Sequence, residues 1–96
     1  MSLPAVIENP DLKELGPVSG DGGYIVTVYD NDYNTVFEVI SILMEATGCD
    51  LNEAEIETWE VHNLGKSVVH HGGEQECREV ADVIATIGIR VEVAAE

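Results

Sequence analysis

Tyr24-Ile25-Val26-Thr27-Val28-Tyr29, then Asp30-Asn31-Asp32-Tyr33-Asn34, then Thr35-Val36-Phe37-Glu38 is the stretch whose reading decides the fold. Its first six residues are β-branched or aromatic, which predicts a strand. The next five are polar and rich in Asx residues, as a loop requires. Thr35 and Glu38 stand at capping-box spacing, where the hydroxyl receives a backbone N–H and the carboxylate reaches back to the cap. A helix must follow. Val36, Val39, Ile40, Leu43 and Met44 recur at helical spacing up to Gly48, which predicts a helix over 36–47.

Outward from that stretch, Asp50 is placed to cap a second helix over 51–64, closed by Gly65. Its inward stripe is expected to be Leu51, Ala54, Thr58, Val61 and His62, flanked by Ile56 and Trp59. Ser67-Val68-Val69 reads as a short strand and His70-His71-Gly72-Gly73 as a turn. Cys77, Val80, Ala81, Ile84 and Ile87 space a third helix ending at Gly88. Ile89-Arg90-Val91-Glu92-Val93 alternates as a half-buried strand does. Three short strands are not stable alone, so one sheet face must pack on helices. The expected fold is α+β: a two-layer sandwich in β-α-α-β-α-β order with a three-stranded, largely antiparallel sheet.

Upstream, residues 1–22 lack periodicity, contain Pro4, Pro10 and Pro17, and run into Ser19-Gly20-Asp21-Gly22-Gly23. That composition predicts a flexible N-terminal extension ahead of a single folded domain over 23–96. A chain of 96 residues, 45% hydrophobic, has room for one core. Its 4 Lys+Arg stand against 19 Asp+Glu, a formal charge of -15. Such a surface repels phosphates and anionic head groups, which argues against nucleic acid and membrane partners and favours cationic ones. No apolar run approaches the ~20 residues of a membrane span. No basic stretch followed by an apolar run opens the chain. Cys49 and Cys77, without a CxxC, read as reduced thiols of a cytoplasmic protein.

Three constellations bear on chemistry. Asp30-Asn31-Asp32, with His62 near the end of the second helix, supplies carboxylate, amide and imidazole acceptors suited to an ammonium group. An Asx-rich turn and a core histidine held by a carbonyl account for the same residues. A metal site drawn from His62, His70, His71, Cys49 and Cys77 lacks the close-spaced pairs that zinc prefers. No metal or cofactor is expected. Cys77 has no nucleophile signature around it, and Gly20-Asp21-Gly22-Gly23 precedes a strand where a phosphate loop precedes a helix. An enzyme is not expected.

Taken together, Val28 to Thr35 and Glu60-Val61-His62-Asn63-Leu64-Gly65-Lys66 resemble the two signature stretches of the ClpS protease adaptors. In that family a strand enters an Asn-Asp-Asp-Tyr-Thr-like loop, and a later helix ends in Val-His-x-x-Gly-Lys. The resemblance covers about residues 24–93 and implies the same β-α-α-β-α-β fold. It implies binding of polypeptides whose first residue is bulky, and delivery to a Clp ATPase (ClpA- or ClpC-like) through that enzyme's N-terminal domain. By position, Asp30, Asn31 and His62 would hold the free α-amino group and first peptide bond. Val36, Val39, Thr58, Val61 and Ile89 would line the side-chain pocket, with Asp32 at its rim.

The chain departs from the family in order and size. Asp30-Asn31 replaces the usual Asn-Asp, and Val36 and Thr58 stand where Met is frequent. The pocket so implied is wider and suits aromatic first residues at least as well as Leu. The Thr58 hydroxyl becomes available to a Tyr or Trp ring if its own helix carbonyl does not hold it. The alternative is an interaction module of the same fold without N-degron binding.

Overall fold

Val26 and Val28 of strand β1 (Tyr24–Tyr29) have no solvent exposure at all, and the architecture follows from what covers them. In a computed structural model that describes residues 23–96, β1 is followed by α1 (Val36–Thr47), α2 (Leu51–Leu64) and β2 (Lys66–Gly72). Helix α3 (Glu74–Ala85) and strand β3 (Val91–Ala95) complete the chain. The extension expected over 1–22 lies outside the described residues. The sheet order is β2-β1-β3, with β1 antiparallel to both neighbours. Helix α3 lies on β1 and β3, α2 on β2, and α1 bridges α2 and α3. The fold is the expected two-layer α+β sandwich.

Local chemistry sets the helix bounds. Glu38 N–H donates to the Thr35 hydroxyl at 3.1 Å, and Thr35 N–H donates to the Glu38 carboxylate at 3.0 Å. That closes the capping box and starts α1 where the sequence places it. Glu53 N–H donates to Asp50 at 2.8 Å, starting α2. Gly48 and Gly65 end the two helices at φ 78° and 93°, left-handed conformations that an L side chain strains to adopt.

Four expectations need correction. Leu51, expected inside, is 51% exposed at the first turn of α2, and Glu57 takes an inward place at 6% exposure. The sheet covers the middle and end of α2, not its start. His70 and His71 belong to β2 instead of a turn, because β1 continues opposite them: Val26 pairs with His70 and Ile25 with His71. The register shifts between Val26 and Thr27, leaving Val69 as an extra, buried residue, and His70 then meets Glu76 of α3 at 2.7 Å. Helix α3 stops at Ala85, not Gly88, and unwinds through Thr86-Ile87-Gly88 with three short-range backbone bonds. Ile89 consequently lies ahead of β3, which begins at Val91, yet it is buried in the core.

The core is one cluster in which Leu43, Ile84, Val39, Val61, Ala54 and Cys77 close over Val26 and Val28. Burying each Val, Leu or Ile contributes about 1.5–3 kcal/mol before entropy is counted. On the strand end, the Arg90 guanidinium stacks 4.3 Å from the Tyr29 ring centroid, and the Tyr29 hydroxyl donates to Glu92 at 2.9 Å. Tyr29 N–H donates to Arg90 C=O at 3.0 Å, so β1 stays pinned to its last residue. The chain therefore leaves the sheet at a defined point.

Candidate functional site

Asp30 is that departure point. Its N–H donates to the Gly65 carbonyl at 3.0 Å, tying the loop after β1 to the closing turn of α2. The capping glycine of one helix and the end of the central strand are thereby side by side. One turn before Gly65, the His62 ring reaches back so that Nδ1 lies 3.0 Å from Asp30 Oδ1. A carboxylate only accepts, so Nδ1 carries the proton of this bond. The pair is partly open to solvent, with side-chain exposures of 26% for His62 and 35% for Asp30. His62 Nε2 faces the other way, buried and without a hydrogen-bond partner. With the proton on Nδ1, Nε2 of the neutral ring is an acceptor.

Asn31 is committed to its own loop. Its Oδ1 accepts from the Tyr33 and Asn34 N–H groups at 3.1 and 2.9 Å, and its Nδ2 donates to Asn34 Oδ1 at 2.9 Å. Asn34 in turn donates to the Glu38 carboxylate at 3.1 Å and to the Ile87 carbonyl at 2.9 Å. Sequence reasoning left Asn34 without a role. The signal was its place directly before the capping Thr35, where a short amide meets both the capping carboxylate and the chain. Hydrogen bonds from the Thr35 backbone and the Asn34 amide hold the Glu38 carboxyl below its usual range. Asn34→Ala is expected to lower the unfolding free energy by about 1–3 kcal/mol, since it strips partners from Asn31, Glu38 and the Ile87 carbonyl at once. Urea unfolding followed by tryptophan fluorescence measures it.

The remaining sequence-predicted residues divide by depth. Val39, Thr58, Val61 and Ile89 are buried, Val61 completely, while Val36 is half exposed at the first turn of α1 and Asp32 is exposed in the loop. Thr58, Val61 and His62 share one face of α2 by helical spacing. Thr58 Oγ1 is buried and has no hydrogen-bond partner, its helix carbonyls included. Tyr33 and Phe37 stand exposed around the loop.

Burial pushes the Cys77 thiol above its ordinary value, the opposite of an activated nucleophile. Among the described residues no group of three His, Cys, Asp or Glu is placed to hold a metal ion. No described helix is long and apolar enough to cross a membrane.

The chain has a counterpart among known families. The family described as ATP-dependent Clp protease adaptor protein ClpS matches residues 21–90. This chain belongs to the ClpS family. Its fold agrees: Agrobacterium tumefaciens ClpS2 bound to L-phenylalaninamide is similar with a TM-score of 0.74 and 16% identity. The match covers 79% of this chain and 99% of the ClpS2 chain. No curated protein matches the chain. The divergent spelling of the ClpS loop here, Asp30-Asn31, puts the carboxylate of Asp30 against His62 and leaves the amide of Asn31 to build the loop.

Proposed function

We propose that this ClpS protein binds polypeptides through a free α-amino group on a bulky hydrophobic or aromatic first residue, and hands them to a Clp ATPase. The observation that carries the reading is the Asp30–His62 pair with Nε2 left buried and unpartnered. An ammonium supplies what that arrangement lacks: several donors and a positive charge, in a chain of formal charge -15. Charge-assisted hydrogen bonds contribute about 1.5–3 kcal/mol each, and an internal residue has no amine to make them. Val36, Val39, Val61 and Ile89 are the apolar residues proposed to receive the side chain, with Thr58 among them and Asp32 at the rim. L-phenylalaninamide, the ligand of the ClpS2 structure, has this chemistry: an aromatic side chain beside a free amine. Residues 1–22 are proposed to serve the hand-over and not peptide binding.

Fluorescence anisotropy with a Phe-initiated peptide, free or acetylated at its N-terminus, tests the reading. Acetylation is expected to reduce affinity by a hundredfold or more, the loss of about two charge-assisted bonds. Equal binding of the two peptides would reject it.

A second reading has its own observation. The outer side of α2 carries an open concavity lined by Asn52, Glu55, Ile56, Trp59 and Glu60, with Trp59 57% exposed. An aromatic-aliphatic surface edged by carboxylates is the composition of a protein contact. On that reading the domain is an interaction module, and the acetylated peptide binds no worse than the free one.

A further inference from the structure

Thr58 is the most deeply buried hydroxyl at the candidate site, 1% exposed, and its Oγ1 has no hydrogen-bond partner. A threonine within a helix ordinarily satisfies its hydroxyl on a carbonyl one turn back, and this one does not. His62 Nε2, one turn further along the same face, is buried and unpartnered as well. Their Cα atoms are about 6 Å apart along the helix axis, four residues at the α-helical rise. A buried polar atom left unpaired destabilises the fold, and Val has nearly the same shape as Thr without that penalty. Among the described residues Glu57 Oε1, Thr58 Oγ1 and His62 Nε2 are the buried side-chain atoms of this kind, all on α2. The last two lie one turn apart on the face beside Asp30, which suits a ligand with polar atoms at both ends.

We propose that Thr58 makes this chain read a hydrogen-bonding group on the first residue's aromatic side chain, so that Tyr and Trp are preferred over Phe and Leu. The proposal rests on the binding reading above and names the class of ligand that site selects. With the α-amine at His62 and Asp30, the ring points along α2 towards Thr58. A phenol O–H or an indole N–H then pairs with Oγ1, which both donates and accepts. Phe fills the same space and leaves the hydroxyl unpaired. A site made to hydrogen-bond a ligand discriminates against the analogue lacking the group more strongly than an apolar site discriminates by size. A water held at Oγ1 instead would require further polar partners, and the residues proposed around it are Val36, Val39, Val61 and Ile89.

The test compares peptides identical except for Tyr, Trp, Phe or Leu at the first position, titrated into the wild-type chain and Thr58→Val. In the wild type, Tyr is expected to bind about tenfold more tightly than Phe. Thr58→Val should erase that ratio, leave Phe binding equal or tighter, and raise the melting temperature. Thr58→Ser, which keeps the hydroxyl, should retain the Tyr preference. Should Thr58→Val not fold, Thr58→Ala read against Thr58→Ser makes the same comparison. A Tyr-to-Phe ratio near one in the wild type overturns the proposal. So does a ratio that survives Thr58→Val, the outcome expected if the hydroxyl serves a water. If peptides bind with no dependence on a free amine, the binding reading itself has failed. A wild-type Tyr-to-Phe ratio near one among amine-dependent ligands overturns the Thr58 assignment alone.

Discussion

His62→Ala is expected to weaken binding of a Phe- or Leu-initiated peptide by about 2 kcal/mol or more, close to thirtyfold, while the fold stays intact. The imidazole has one nitrogen on Asp30 at 3.0 Å and the other buried without a partner. Removing it deletes the Nε2 acceptor and frees the Asp30 carboxylate to turn into solvent, so both ends of the proposed ammonium site are lost together. Stability should change little. His62 is a quarter exposed, and the residues that α2 buries are Ala54, Glu57, Thr58 and Val61. Asp30 N–H keeps its bond to Gly65, which does not involve the ring. Calorimetric melting alongside peptide titration separates the two effects. A variant that unfolds while binding per folded molecule is unchanged would make His62 a core residue and nothing more.

The largest stability effect is expected at Glu57. Its carboxyl is pushed up to about 8, first by burial, then by a hydrogen bond and the like charge of Glu53, then by the charge of Glu60. The ordinary value is 4.5, so between 4.5 and about 8 the folded chain holds a proton that the unfolded chain has released. Stability contributed by this group is therefore fully present below pH 4.5, falls as pH rises through about 8, and is flat beyond. Across that window the folded chain loses about 1.36 kcal/mol per pH unit, a few kcal/mol in all. Glu57→Gln keeps the shape and cannot ionise, and its amide has the Glu53 carboxylate as an acceptor. The substituted chain is expected to match the wild type near pH 4.5 and to exceed it by a few kcal/mol at about pH 9. Urea unfolding at both pH values measures the difference, in which the repulsion common to both acidic chains cancels. Parallel curves over that whole range would show that Glu57 is ionised in the folded state throughout.

Glu57 also marks where sequence reading stops. An amphipathic pattern places carboxylates outside, and α2 offers Leu51, Ile56 and Trp59 as better candidates for the core. All three are half exposed or nearly so, and Glu57 is buried. Which face of a helix is covered depends on what packs on it; α2 packs on β2 and α1, and the residues it buries are Ala54, Glu57, Thr58 and Val61. The two caps of α1 and α2, by contrast, were legible to the residue. A cap is a bond between neighbours three or four positions apart, so Thr35 with Glu38 and Asp50 with Glu53 determine it without knowledge of the rest.

The same division runs through the site. The types and spacing of Asp30, Asn31 and His62 were legible because they follow a strand and close a helix whose ends are locally encoded. Their partition was not. The side chain of Asn31 goes to the Tyr33 and Asn34 amides, and Asp30 goes to a ring 32 positions away, because the Asp30–Gly65 backbone bond sets the loop against α2. Likewise His70 and His71 became strand only because β1 extends opposite them. By itself the sequence determined the elements, their order and the family. The tertiary structure decided which polar atoms are satisfied and which, at Glu57, Thr58 and His62, are not, because satisfaction depends on partners that distant segments bring.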